Sequence, residues 1–136
     1  MTDKIKATII TDTLEKIVER VGDPTELVYK RLFALHPELE PMFVMDKNGA
    51  ARGHMLSEAL DGIVDFVGER NYSDNLIRSE IVNHANLGVP PEIFATFYNV
   101  VAATFKDALG EDWTDEMETA WSGVLDELTA TVEERV

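Results

Sequence analysis

The sequence predicts an all-α fold of about seven helices. Apolar residues recur at three- and four-residue steps along most of the chain, and glycines and prolines fall where those runs stop. The two-residue alternation of a half-buried strand is absent.

Ile5, Ile9, Ile10, Leu14, Ile17, Val18 and Val21 lie on one face of a first amphipathic helix, which Gly22 ends. Asp23, Pro24 and Glu26 start a second, with a capping carboxylate, a proline at the first helical position and an acid in the first turn. It runs through Leu27, Val28, Leu32, Phe33 and Leu35 until His36-Pro37-Glu38 restarts the chain as a short helix ending near Phe43. Met45 to Gly49 reads as a loop. A long helix follows, with Met55, Leu56, Ala59, Leu60, Ile63, Val64, Phe66 and Val67 as its apolar face and Gly68 as its stop. Ser73 and Asp74 are placed to cap a shorter helix carrying Leu76, Ile77, Ile81 and Val82 and leading into His84. After Leu87-Gly88-Val89-Pro90-Pro91, a long helix carries Phe94, Phe97, Val100, Val101, Phe105 and Leu109, and Gly110 ends it. Thr114 caps the last helix, with Met117, Trp121, Val124, Leu125, Leu128 and Val132. Helices this unequal suit a fold wrapped around a pocket better than an up-down four-helix bundle.

The 136 residues are expected to form one domain over residues 1–136, with 45% hydrophobic residues, enough for a packed core. The formal net charge of −14 argues against nucleic acid or an anionic membrane as partner, since either would repel the chain. Without cysteine there is no disulfide, thiolate nucleophile or thiolate–metal site. The opening MTDKIK has no secretory pattern and no apolar run approaches the roughly 20 residues of a membrane span, so a soluble, cytoplasmic protein is expected. No phosphate loop, Gly-x-Ser-x-Gly elbow or closely spaced metal triad appears. Asp126-Glu127 and Glu133-Glu134 read as a solvated face.

The chain has three histidines. His36 reads as a helix-start residue, and His54 opens the long central helix facing solvent or a ligand edge. His84 ends a short amphipathic helix before a rigid Gly-Val-Pro-Pro turn. Taken alone, it reads as a structural histidine more readily than as a ligand.

Its neighbours change that reading. Tyr29-Lys30-Arg31-Leu32-Phe33-Ala34-Leu35-His36-Pro37-Glu38-Leu39-Glu40-Pro41-Met42-Phe43 resembles the second and third helices of bacterial single-domain haemoglobins and flavohaemoglobins. Asn83-His84-Ala85-Asn86-Leu87-Gly88-Val89-Pro90-Pro91-Glu92 resembles that family's iron-ligand segment. Leu109-Gly110-Glu111-Asp112-Trp113-Thr114, with Ala120-Trp121, resembles the start of its last helix. The three blocks occur in the family's order and at its spacing, and the resemblance covers nearly the whole chain.

The resemblance implies a globin-like fold around a pocket for haem b. It implies that His84 is the proximal iron ligand, Phe43 packs on the porphyrin, and Tyr29 is the distal hydrogen-bond donor to dioxygen, nitric oxide or carbon monoxide. A bound gas that draws electron density outward carries partial negative charge, which a phenol in a dry pocket stabilises. On the distal helix, Met55 and Ala59 form the preferred register and Leu56 with Leu60 the alternative, which would turn Asp61 and Gly68 inward. Met55 as an iron ligand stays open. Leu87, Val89, Phe94, Phe97 and Trp121 are expected to wall the cofactor, and Arg52, Lys47 and His54 to meet its propionates. Two departures stand out. A non-polar side chain occupies the distal position where many relatives carry glutamine or histidine. Phe94 occupies the place of a tyrosine that in flavohaemoglobins joins a network with a last-helix glutamate, so weaker electron push from the imidazole is expected.

The resulting expectation is a haem protein that binds a diatomic gas reversibly, for storage, delivery or sensing, rather than an enzyme. The alternatives are nitric oxide dioxygenation or peroxide chemistry, with no reductase domain expected after Val136 and electrons therefore expected from a separate reductase, and a haem-free globin-like regulatory domain.

Overall fold

The computed structural model describes Asp3–Glu134; Met1, Thr2, Arg135 and Val136, the ends of the expected single domain, lie outside the described residues. Six α-helices follow one another among the described residues: α1 (Asp3–Val21), α2 (Thr25–Leu35), α3 (Ala50–Val67), α4 (Ser73–Asn86), α5 (Pro91–Leu109) and α6 (Asp115–Glu134). Two 3₁₀ segments, Pro37–Phe43 and Gly110–Asp112, complete the chain, and no strand occurs among the described residues. The short helix expected to end near Phe43 is therefore 3₁₀. Pro41 lies inside it and has no N–H for an α-helical bond.

Local chemistry sets most of the boundaries. Gly22 leaves α1 at φ +72°, in the left-handed region that suits glycine. The Asp23 carboxylate accepts the Thr25 N–H and hydroxyl at 2.9 and 2.5 Å, and those two bonds hold its pKa below the usual range. Thr114 caps α6 as expected, its hydroxyl accepting the Met117 N–H at 3.1 Å. The start of α4 differs from expectation. Neither Ser73 nor Asp74 caps it; the carboxylate of Asp65, near the end of α3, accepts the N–H groups of Asn71, Tyr72 and Ser73 at 2.7–3.0 Å. One side chain thereby joins two helices and shapes the link between them.

The core lies where α1, α5 and α6 meet, with α3 against α1 and α2 against α5. Trp121, Phe105, Phe66, Ile10, Ile17, Ile63, Val101 and Val124 are fully enclosed, each burial worth about 1.5–3 kcal/mol for an aliphatic side chain and more for an aromatic one. The buried stripe of α1 is narrower than its apolar pattern suggests. Ile10, Thr13 and Ile17 face inward and Val18 faces out. Thr13 tolerates burial because its hydroxyl donates to the Ile9 carbonyl at 2.7 Å. At the other end, α2, the 3₁₀ segment Pro37–Phe43, α3, α4 and α5 enclose a cavity in place of packed side chains.

Candidate functional site

The cavity holds about 410 Å³, within the range of small-molecule and cofactor sites, and its walls are mostly apolar. The helical period of α3 turns Ala51, Met55, Glu58 and Ala59 toward it. Helix α5 supplies Ile93, Phe94, Phe97 and Tyr98, and α4 supplies Leu76, Glu80 and His84.

His84 stands in the wall with its side chain 23% exposed. Its Nδ1 lies 2.8 Å from the main-chain carbonyl of Glu80, one turn earlier on α4. A carbonyl can only accept, so Nδ1 donates, and in the neutral ring Nε2 is then the nitrogen with the free lone pair. Phe94 meets the imidazole edge-on, with centroids 5.1 Å apart and an interplanar angle of 61°. From there aromatic contacts run along α5: Phe94 to Tyr98 at 5.9 Å, Tyr98 to Phe97 at 6.4 Å, and Phe97 to Tyr29 at 5.6 Å.

Tyr29, on α2, ends that path. It is 1% exposed and packs against Phe43, Phe33 and Phe97. Its hydroxyl has no hydrogen-bond partner. Burial pushes its phenol well above the usual tyrosine range, with a smaller downward pull from Arg52 and a smaller upward push from Asp46, so the group stays protonated and able to donate. An unpartnered buried hydroxyl costs about 1–3 kcal/mol. Tyr29 is one of the residues that line the cavity.

Nine residues singled out from the sequence line this one cavity: Tyr29, Phe43, Met55, Ala59, His84, Leu87, Val89, Phe94 and Phe97. Three do not. Leu56 is 2% exposed and Leu60 part-buried, both packed on the core side of α3, because the register that points Met55 and Ala59 into the cavity rotates them away. Trp121 is 1% exposed, wedged against Phe105 and Trp113 at 6.0 and 6.3 Å, and no described residue of α6 reaches the cavity. It belongs to the core.

The cations expected at the rim are placed differently from one another. The Arg52 guanidinium and backbone N–H both engage the Asp46 carboxylate at 3.0 Å, which closes the loop before α3. The bond from the Ala51 N–H is the largest influence holding Asp46 below the usual carboxylate range. His54 is exposed and faces Glu58 at 3.2 Å, and Lys47 is exposed. The sequence reading missed Glu80 and Tyr98, which sit one turn before His84 and one turn after Phe94, and that helical spacing was the available signal.

Among the described residues no group of three or more histidine, cysteine, aspartate or glutamate side chains could hold a bare metal ion. A cavity with one free imidazole nitrogen and apolar, aromatic walls instead fits a large planar group that brings its own equatorial ligands to a metal. No described helix is long and apolar enough to cross a membrane.

The globin family model matches residues 26–132 of the chain. The chain is also similar to a flavohemoprotein of Rhizobium meliloti (strain 1021), 30% identical over 95 residues. The aligned stretch covers 69% of this chain and 24% of that protein, so the chain spans well under half of the curated relative's length.

Proposed function

The chain belongs to the globin family, and on that premise we propose that it binds one haem b in the cavity through His84 and holds a diatomic gas reversibly beside Tyr29. One observation carries the reading: Tyr29, whose buried hydroxyl has no partner, lines the same apolar cavity as His84. When bound, the haem supplies an iron with an open coordination position. The rest is the work of side chains. His84 offers Nε2 to the metal while Nδ1–H, tied to the Glu80 carbonyl, fixes the tautomer and ring angle. Phe43, Phe94, Phe97 and Met55 line the cavity and would exclude water from the bound cofactor. Tyr29 donates a hydrogen bond to dioxygen, nitric oxide or carbon monoxide in proportion to the negative charge each develops.

The similarity to a flavohemoprotein, whose name couples a flavin to a haem, favours a second reading in which this site turns over with electrons from a separate flavin reductase. Rapid nitric oxide consumption by the haem-loaded, dioxygen-saturated chain, sustained only with a reductase present, is the outcome of that reading; slow consumption favours reversible binding. Titration of the chain with haem tests both. One equivalent should bind and give a Soret band that shifts on reduction and again with carbon monoxide. Failure to saturate at one equivalent would exclude both readings.

A further inference from the structure

We propose that Glu80 is the positioning and charge-tuning residue for His84, its side-chain carboxylate setting how strongly the imidazole donates to a metal at Nε2. The inference rests on His84 as the iron ligand, as proposed above. Glu80 brings two oxygens to one nitrogen: its main-chain oxygen accepts from Nδ1 at 2.8 Å, and its carboxylate oxygen lies 3.5 Å from the same nitrogen, close enough to act through its charge. The carbonyl bond belongs to the helix and survives any side chain at this position. The carboxylate is specific to glutamate.

The geometry keeps that charge where it can act. Glu80 lines the cavity, is only partly exposed, and makes no other ion pair among the described residues. Its charge reaches Tyr98 in the same wall, where burial first and Glu80 second push the phenol up to about 12. Phe94 packs edge-on against the imidazole and offers it no polar group. A negative charge beside the distal N–H of a metal-bound imidazole makes the ring a stronger donor and favours the oxidised metal. Phe94 at the position after the turn pointed to a weakly donating imidazole. The carboxylate one turn earlier on α4 reverses that expectation.

The experiment uses the full chain loaded with haem. Glu80→Gln keeps the shape, the helix and the carbonyl bond and removes the charge; Glu92→Gln removes an exposed carboxylate from α5 as a control for net charge. The readouts are the iron–histidine stretching frequency of the ferrous, ligand-free form and the ferric/ferrous midpoint potential, which a loss of donation by the imidazole moves together in the stated directions. Glu80→Gln should lower the frequency and shift the ferric-to-ferrous balance about tenfold toward ferrous, about 59 mV for one electron, while Glu92→Gln matches the parent. Unchanged readouts in Glu80→Gln, or an equal shift in both variants, would overturn the role of Glu80 and leave His84 ligation standing. A parent protein without an iron–histidine stretch would overturn the underlying haem reading as well.

Discussion

Replacing Tyr29 with phenylalanine separates stability from ligand affinity, and the two should move in opposite directions. In the chain without cofactor, the Tyr29 hydroxyl is buried with no partner, a desolvation loss of about 1–3 kcal/mol that phenylalanine does not incur. The ring contacts with Phe33, Phe43 and Phe97, at 5.5–5.8 Å, do not involve the hydroxyl and remain. The cofactor-free variant should therefore be as stable as the parent or more so, with an unfolding midpoint higher by up to a few degrees. The haem-loaded variant should lose the hydrogen bond to bound gas, again about 1–3 kcal/mol, which is a roughly 5- to 150-fold faster release of dioxygen. Carbon monoxide develops less charge and should be released only slightly faster. Thermal unfolding of the cofactor-free protein and stopped-flow release of the two gases measure both arms. A variant clearly less stable than the parent would mean the hydroxyl has a partner after all. Equal acceleration for both gases would remove Tyr29 from the ligand's side of the cavity.

Two further substitutions test the scaffold. Asp65→Ala should lower the unfolding temperature by a few degrees and loosen the α3–α4 link, since three backbone N–H groups lose their acceptor. Burial alone would raise the Asp65 pKa, but the N–H groups of Tyr72, Ser73 and Asn71 outweigh it and lower it overall. Its stabilising effect is thus present above the unfolded carboxyl value, about pH 4, and lost as pH falls through the folded value. Denaturation followed between neutral pH and pH 3 should show the gap between parent and variant closing on the acid side; a gap that widens there contradicts the assignment. Gly22→Ala should cost about 1–2 kcal/mol in urea denaturation, because a Cβ there meets no atom within 4 Å and the φ of +72° alone opposes it. A neutral result would place the α1–α2 turn in another conformation.

Helix order and most helix ends follow from periodicity and from Gly22, Pro37, Gly68, Pro91 and Gly110, since those signals act within a few residues. Contacts made across helices do not show in that way. The Asp65 cap on α4 joins two helices, and no signal local to Asp65 distinguishes it from the other acids of α3. Trp121 shows the same gap from the other side. Its apolar spacing identifies it as inward-facing but cannot say whether inward means packed core or cavity wall, and the structure places it in the core. Met55 against Leu56 was a question of register, which the cost of turning Asp61 inward could decide, and Met55 lines the cavity. Glu80 escaped notice because a glutamate on a short helix ordinarily faces water; its fixed distance to His84 was implicit in the helix geometry.

The proposed haem site depends on one imidazole nitrogen. Haem-loaded parent and His84→Ala should be compared by absorption and by resonance Raman of the ferrous form. The parent should show a five-coordinate histidine-ligated iron that the variant lacks, with added imidazole restoring ligation in the variant. Identical spectra from the two proteins, with haem bound equally well, would mean that His84 does not hold the iron.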